Sequence, residues 1–220
     1  MKYILLIPSY EPGKELIKLV NSIDSKYDIV VVDDGSTNKD IFNQIKDKAL
    51  VISYDNNMGK GYALKTGFEY IKENYKKYVV VSVDADMQHD INDAINLCDY
   101  VIDHEDTLVI GRRHWDSKTP FSNRMGNKIT RHFFKKRTGL SIYDTQSGLR
   151  AFSNKLMDYM LSIPGNRYEY EMNVLLNLGK NNIKFHEIDI KTIYFEKKRS
   201  HFNSIKDSFR IYKEIMKYKK

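Results

Sequence analysis

Residues 78–90 of this 220-residue chain read YVVVSVDADMQHD, and the other predicted elements are arranged around them. The first six residues are rich in valine without strict polar alternation, which predicts a strand buried on both faces. Asp84 and Asp86 follow directly, so they should lie on a loop at the carboxyl end of that strand. Ligands bind at this edge of open α/β sheets, and two carboxylates spaced Asp-x-Asp can converge on one hard cation, Mg²⁺ or Mn²⁺, that carries a substrate phosphate.

A solvated turn without a metal is the other interpretation of the same acidic loop. In that case Asp86 or Asp90 would cap the helix that begins near Ile91, as short polar side chains often do. The triplet alone leaves both interpretations open.

The overall charge is positive. Lys and Arg number 36 against 29 Asp and Glu, which gives a net charge of +7 and a sequence pI near 9.2. This balance favours an anionic partner such as a nucleotide, a lipid head group or a nucleic acid, although solubilising lysines on helix surfaces would give the same excess. No nucleic acid is expected, because the basic residues are not interleaved with aromatic residues in a recognisable module. The single cysteine, Cys98, falls in an apolar helical pattern. Because it is the one cysteine of the sequence, no disulfide can form within the chain.

Strands and helices alternate along the first half of the chain. The helix after the first strand has apolar residues at i, i+3, i+4 and i+7, and the next helix centres on Ile41, Phe42 and Ile45. This alternation predicts one domain of the α/β class, with a doubly wound, mostly parallel sheet, helices on both faces and polar loops at one edge. The predicted strands are residues 3–7, 29–32, 50–53, 78–83 and 108–110.

Two basic helices are predicted in the second half. In residues 123–137, Met125, Ile129 and Phe133 recur every four residues between many lysines and arginines. The last helix, from Ser204, places Ile205, Phe209, Tyr212 and Met216 on one face. Such helices could lie on an anionic membrane surface, or they could pack against their own domain with the lysine heads in water.

Six motifs then occur in a recognisable order. They are the loop after the first strand, residues 33–36 (DDGS), 57–61 (NMGKG), 84–89 (DADMQH), 111–113 (GRR) and 144–152 (DTQSGLRAF). In this order they resemble the inverting glycosyltransferases of family 2, and among these the dolichyl- and polyprenyl-phosphate sugar synthases of the mannose and glucose types. The resemblance covers nearly the whole chain and implies a Rossmann-like GT-A fold. Donor binding would fall in about residues 1–110 and acceptor binding in about residues 111–220.

The resemblance also implies a donor pocket. The base and ribose of a nucleoside diphosphate sugar would be bound by Pro8, Tyr10, Glu11, Asp33 and Asp34, where a carboxylate accepts hydrogen bonds from the base. Gly59 and Lys60 would approach the donor closely at the start of a helix. Mg²⁺ or Mn²⁺ would be held by Asp84, Asp86 and Gln88, with Asp86 in a catalytic role, and would stabilise the leaving diphosphate.

Arginines are the expected ligands of the phosphates. Arg112, Arg131 and Arg199 are the candidates, because a planar guanidinium suits two oxygens of one phosphate. Arg112 is favoured as a catalytic residue, because it follows a buried strand at the ligand-binding edge.

The acceptor determines which further residue is catalytic. A polyprenyl phosphate is already an anion and needs no general base, whereas a saccharide hydroxyl of a surface polymer or glycolipid would need a carboxylate. The candidates are Asp144, Glu169 and Glu171, although a glutamate in the first turn of a helix also interacts favourably with the helix dipole. The motif that begins at Asp144 favours a UDP-sugar, and a GDP-sugar stays open. A non-catalytic nucleotide-binding module is the alternative from another functional class.

The chain differs from many of these relatives at its end. It has no apolar run near the roughly 20 residues needed to cross a bilayer, and it stops at Lys220 without the hydrophobic hairpins that anchor many of them. We therefore expect a cytoplasmic protein that is bound peripherally to the cytoplasmic face of the membrane by its basic helices.

Overall fold

The computed structural model describes residues 1–114, 121–193 and 206–219, and of residues 121–123 it describes the backbone only. Arg199, Ser204 and Ile205 therefore lie outside the described residues. The strands in the described part are β1 Lys2–Ser9, β2 Asp28–Asp33, β3 Leu50–Ser53, β4 Tyr78–Ser82, β5 Thr107–Arg113, β6 Arg150–Ser153 and β7 Lys184–Ile190. The helices are α1 Glu15–Ser22, α2 Asp40–Asn43, α3 Lys60–Asn74, α4 Ile91–Asp103, α5 Phe121–Thr138, α6 Met157–Ser162, α7 Glu169–Leu176 and α8 Lys206–Lys217, with a 3₁₀ turn at Asn154–Leu156.

The strands form one sheet in the order β3-β2-β1-β4-β6-β5-β7. β6 is antiparallel to its neighbours β4 and β5, and the other pairs are parallel. Alternate residues of each strand enter two apolar cores, so that Leu6 joins Phe68 of α3 on one face and Leu5 joins Leu97 of α4 on the other. The predicted doubly wound, mostly parallel sheet with helices on both faces is confirmed.

Two strands were not predicted from the sequence. β6 has only four residues, all buried, and β7 (KFHEIDI) places charged residues on an edge strand. Neither has the long valine-rich pattern of β4, because β6 is short and β7 is only partly buried. The helix expected around Ile45 is also shorter than predicted, since α2 ends at Asn43 and Ile45 packs from the turn that follows.

The acidic loop after β4 adopts the turn with a cap on α4. The carboxylate of Asp90 accepts a hydrogen bond from the Asn92 backbone N–H at 2.9 Å, which caps the helix that begins at Ile91. Asp86 instead accepts from the Gln88 N–H at 3.0 Å within the loop. Asp90 is therefore the cap, and Asp86 stays beside the cavity described below.

The two basic helices pack on the domain mainly through residues outside their predicted apolar stripes, although Phe133 of the α5 stripe also packs against the core. α8 buries Ile215 and packs Ile211 against the core, whereas Phe209 is 68% exposed. α5 buries Asn127 and Phe134 and leaves its predicted apolar residues Met125 and Ile129 exposed. Both helices are thus docked and still present an outer apolar stripe. None of the helices in the described part of the chain is long and apolar enough to pass through a membrane.

Candidate active site

A cavity of about 650 Å³ lies at the carboxyl edge of the sheet. It opens where β1, β2 and β4 end, which is the edge at which open α/β sheets bind ligands. Its wall contains nine of the residues singled out from the sequence, and Asp33 lies buried beneath it. These nine are Pro8, Tyr10, Glu11, Asp34, Gly59, Lys60, Asp84, Asp86 and Gln88.

Lys60 connects two acids at the floor of the cavity. Its Nζ lies 2.7 Å from Asp84 Oδ1 and 3.0 Å from Glu171 Oε2. Burial alone would lower the pKa of Lys60, but the two carboxylates outweigh it and raise that pKa. The first residue of α3 is therefore a fixed cation that ties β4 to α7.

His89 and Gly148 enclose Asp84 from the other sides. His89 Nε2 lies 3.5 Å from Asp84 Oδ2, and a Cβ atom at Gly148 would lie 2.6 Å from the same oxygen. Burial would raise the pKa of Asp84, but Lys60 and His89 outweigh it and lower that pKa. Asp84 is therefore held as a carboxylate, and only glycine fits at position 148.

Asp86 has the opposite electrostatic environment. Burial and the nearby Asp84 carboxylate raise the pKa of Asp86, since two like charges there have little solvent between them. A divalent cation would relieve this repulsion, and carboxylate and amide oxygens are the ligands that Mg²⁺ and Mn²⁺ prefer. Within the described ranges no three His, Cys, Asp or Glu side chains form a complete metal site. The fit is therefore to a cation that Asp84, Asp86 and Gln88 would share with a phosphate ligand, as Mg²⁺ commonly is.

Asp34 holds the loop that leads into α3. Its Oδ1 accepts from the Tyr54 hydroxyl at 2.7 Å and the Met58 N–H at 2.8 Å, and its Oδ2 accepts from Asn57 Nδ2 and the Gly59 N–H, both at 2.9 Å. Burial and this carboxylate raise the pKa of Tyr54. Both oxygens of Asp34 are thus engaged by the chain itself.

Asp33 and Glu11 fix the neighbouring turn. Asp33 is fully buried, accepts from the Ser36 N–H at 2.9 Å and pairs with Lys39. Glu11, in a left-handed conformation with φ 43°, accepts from the Thr37 N–H at 2.6 Å, while its own N–H donates to Ser36 Oγ at 2.8 Å. The β1 and β2 loops are therefore joined into one wall of the cavity.

Two of the predicted arginines, Arg112 and Arg131, are not among the residues that line the cavity. Arg112 Nε donates to Asp189 at 2.5 Å, and the guanidinium of Arg131 lies 5.0 Å from the centroid of the Tyr143 ring. Arg113 was not among the candidate arginines. Its guanidinium donates two hydrogen bonds to the Asp144 carboxylate, of 2.7 and 3.1 Å. Adjacent strand residues point to opposite faces, so Arg112 and Arg113 could not have made the same contact.

Asp144 is fully buried, and both of its oxygens are engaged by Arg113. Its loop is held by Glu187 of β7, whose carboxylate accepts from the backbone N–H of Tyr143 at 2.9 Å and of Asp144 at 3.1 Å. Glu187 was not singled out from the sequence, because only the fold brings β7 beside residues 143 and 144. The catalytic role expected for Asp144 stays a prediction.

Three further residues of the cavity wall carry no sequence signal. Arg167 and Tyr168 precede α7, and Asp207 lies in the first turn of α8. They are far in sequence from every motif named above, so only the packing of α7 and α8 brings them to the cavity. Glu169, by contrast, accepts from the N–H groups of Asn166 and Arg167, so it orders the loop before its own helix.

Comparison with known proteins gives a consistent result. The family model described as "Glycosyl transferase family 2" matches residues 4–162. An uncharacterized protein of Methanocaldococcus jannaschii is 30% identical over 96% of this chain and 90% of its own length. A UDP-N-acetylglucosamine–dolichyl-phosphate N-acetylglucosaminyltransferase of Methanococcus voltae is 28% identical over 98% of this chain and 95% of its own length.

The solved structures point to the same fold. Glucosyl-3-phosphoglycerate synthase from Mycobacterium tuberculosis superposes with a TM-score of 0.75 at 15% identity, over 98% of this chain and 79% of that one. At this identity the likeness concerns the fold alone. It agrees with the mostly parallel, seven-stranded mixed sheet described above.

Proposed function

The chain belongs to glycosyl transferase family 2, and on that premise we propose that it moves one sugar, with inversion, from a nucleoside diphosphate sugar to a polyprenyl phosphate. The observation that carries the proposal is the pair Asp84 and Asp86 at the floor of a cavity large enough for a nucleotide sugar. The relative from Methanococcus voltae supports a lipid phosphate acceptor, since its name specifies dolichyl phosphate.

We propose one orientation for the donor in the cavity. Its base and ribose would lie against the wall formed by the β1 and β2 loops, and its diphosphate would reach the end of β4. Tyr10 and Glu11 supply a ring and a carboxylate for the base, while Asp34 keeps the Asn57–Gly59 loop in place. The sugar would then lie near Lys60 and Glu171.

Asp84, Asp86 and Gln88 are the residues that would hold Mg²⁺ or Mn²⁺. Such a cation would neutralise the charge that develops on the leaving nucleoside diphosphate. Lys60 keeps Asp84 ionised, and Gly148 leaves room beside its carboxylate.

The hydrogen bonds of Asp144 favour a phosphate acceptor over a hydroxyl acceptor. A saccharide hydroxyl would need a carboxylate with a free oxygen to take its proton, whereas a phosphate is already ionised at neutral pH. Both oxygens of Asp144 accept hydrogen bonds from the partly buried guanidinium of Arg113. The pair therefore supports an acceptor that needs no base.

Ligand-dependent thermal unfolding tests this function. The wild-type protein is screened against UDP, GDP and their sugars, with and without Mn²⁺, because a ligand of the folded state raises the midpoint by mass action. Sugar transfer to a polyprenyl phosphate is then measured with the donor that stabilises most. We expect metal-dependent stabilisation by one nucleotide and its sugar.

The screen and the transfer assay also separate the alternatives. Donor binding that does not depend on metal, without transfer, would favour a nucleotide-binding module. Transfer to a saccharide hydroxyl, lost in Asp144→Asn while donor binding persists, would favour the hydroxyl acceptor.

We further propose that the protein acts on the cytoplasmic face of a membrane, bound peripherally through α5 and α8. We call the apolar side chains on the outer side of these two helices the α5–α8 face. Its members are the exposed Met125, Ile129, Phe209, Tyr212 and Met216, together with the partly buried Phe133. The Phe133 and Tyr212 rings contact each other across the helices with centroids 5.1 Å apart, and Arg137 donates to Met216 Sδ at 3.5 Å.

The charge around the α5–α8 face matches an anionic lipid surface. α5 carries six Lys and Arg in 18 residues and has no acidic residue. Each basic residue near such a surface contributes about 1 kcal/mol, and apolar side chains beside them add to the binding. The attraction fades with salt over a Debye length, so the binding should be reversible.

Sedimentation with vesicles tests the membrane contact. We expect binding to vesicles that contain anionic lipid at low ionic strength, and release at roughly 0.5 M salt. Charge reversal at Lys135, Lys136 and Arg137 should weaken it more than reversal at three control positions. These are Lys72 in the last turn of α3 and Lys76 and Lys77 between α3 and β4. Equal behaviour of the two variants, or no binding at low salt, would remove the support for a peripheral membrane role.

A further inference from the structure

The cavity wall is rich in acids for a site that should accept a diphosphate. Among the described residues, six carboxylates line it against three basic side chains, Lys18, Lys60 and Arg167. Lys60 is engaged by Asp84 and Glu171, and Lys18 is exposed on α1. An anionic ligand therefore depends strongly on the remaining cation of the wall, Arg167.

The guanidinium of Arg167 has no carboxylate partner in the parts of the chain that the structure describes. Its Nη1 donates to the neutral amide oxygen of Asn57 at 3.2 Å. Arg112 and Arg113, at the same edge of the sheet, are instead paired with Asp189 and Asp144. Arg167 is the one arginine among the described residues that line the cavity, and no ion pair with an acid neutralises its charge.

The backbone holds Arg167 against the start of α3. Glu169 Oε1 accepts from the Asn166 and Arg167 N–H groups, both at 3.1 Å, and the Asn166 carbonyl accepts from the Tyr62 N–H at 2.9 Å. Gly59, with φ 104°, makes this approach possible, because a Cβ there would lie 2.5 Å from Arg167 Cγ. The side chain is therefore placed before any ligand arrives, which lowers the entropic cost of binding.

We propose that Arg167 binds the diphosphate of the donor. This inference rests on the proposed function and assigns its diphosphate a residue that the family motifs do not include. The guanidinium offers five donors in a planar fork, and only one N–H donates to Asn57, so the others can reach two phosphate oxygens. Its neighbour Asn57 is itself bonded to Asp34, so the nucleotide wall and the diphosphate site share one support.

Nucleotide and nucleoside affinities test the assignment. Dissociation constants for UDP, GDP, uridine and guanosine are measured by calorimetry with Mg²⁺ present, for the wild type, Arg167→Gln and Arg167→Lys. We expect Arg167→Gln to weaken the preferred nucleoside diphosphate by about 10- to 100-fold, the effect of losing a charged hydrogen bond, and to change its nucleoside by less than about twofold. Arg167→Lys keeps the charge without the fork and should fall between them.

Lys65→Gln is the matched control. Lys65 contacts the same loop through Asn166 Oδ1 at 3.1 Å but does not line the cavity, so its removal should leave both affinities unchanged. Equal weakening of diphosphate and nucleoside by Arg167→Gln, or no weakening of either, would overturn the assignment while the proposed function stands. A wild-type protein that binds neither diphosphate would overturn both.

Discussion

Two acidic pairs stand at the same edge of the sheet, Asp33 and Asp34 at the end of β2, and Asp84 and Asp86 after β4. The first pair is satisfied by donors of the chain itself, three of which are backbone N–H groups of the two loops beside it. The second pair faces Lys60, His89 and the cavity, and the pKa of Asp86 is raised by burial and by Asp84. The difference shows that a buried carboxylate builds structure when backbone donors satisfy it, and is available for chemistry when its neighbours are other charges.

Each pair has one lysine partner, and the largest effect is expected for Lys60→Met. This change would leave the partly buried carboxylates of Asp84 and Glu171 without their cation, which costs up to about 3–5 kcal/mol of unfolding free energy. Urea unfolding at neutral pH measures the loss. A variant as stable as the wild type would mean that the second pair, like the first, is satisfied by its surroundings.

Asp34→Ala should have the next largest effect. It removes the acceptor of the Met58 and Gly59 N–H groups and of the Tyr54 hydroxyl, and we expect a loss of about 3 kcal/mol. Nucleotide affinity should fall as well, because the loop forms part of the cavity wall. Asp34→Asn keeps one oxygen acceptor and should lose less in the same urea titration. Weaker nucleotide binding with unchanged stability would instead make Asp34 a ligand-binding residue only.

Asp86→Ala should separate function from stability. Asp86 accepts one backbone bond and is destabilised by its charged neighbour, so the unfolding free energy should stay within about 1 kcal/mol of the wild type. Stabilisation by nucleotide and Mn²⁺ should disappear, a loss of about 3 kcal/mol at a ligand concentration 100 times the Kd. Full metal-dependent stabilisation in this variant would show that the metal assignment is wrong.

Lys39→Met should have the smallest effect and serves as the counterpart of Lys60→Met. Lys39 pairs with Asp33, but its side chain is 42% exposed and Asp33 keeps its bond from the Ser36 N–H. We expect less than about 1 kcal/mol of lost stability and no change in nucleotide binding. A loss as large as that of Lys60→Met would erase the distinction between the two pairs.

Much of the fold followed from local patterns. The buried strands β1, β2, β3 and β4 and the helices between them have periodicities that a short window reveals, and their carboxyl ends then had to meet at one edge. β6 and β7 were missed, since a four-residue strand and a partly polar edge strand lack such a pattern. For the apolar stripes of α5 and α8 the sequence left open a membrane surface or the domain itself, because periodicity identifies an apolar face without identifying what covers it.

The sequence by itself determined the α/β alternation, the acidic loop after β4 and nine of the residues that line the cavity. These features follow from the burial pattern within each strand and from the edge that parallel strands share. Only the tertiary structure decided which acids already accept hydrogen bonds from the chain itself and which basic residues face the ligand. Asn57 contacts Arg167, which lies 110 positions later in the chain, and Lys60 contacts Glu171 at a similar separation in sequence. Such pairings depend on how α7 packs against α3, and no pattern within either segment encodes the charge that the other will bring.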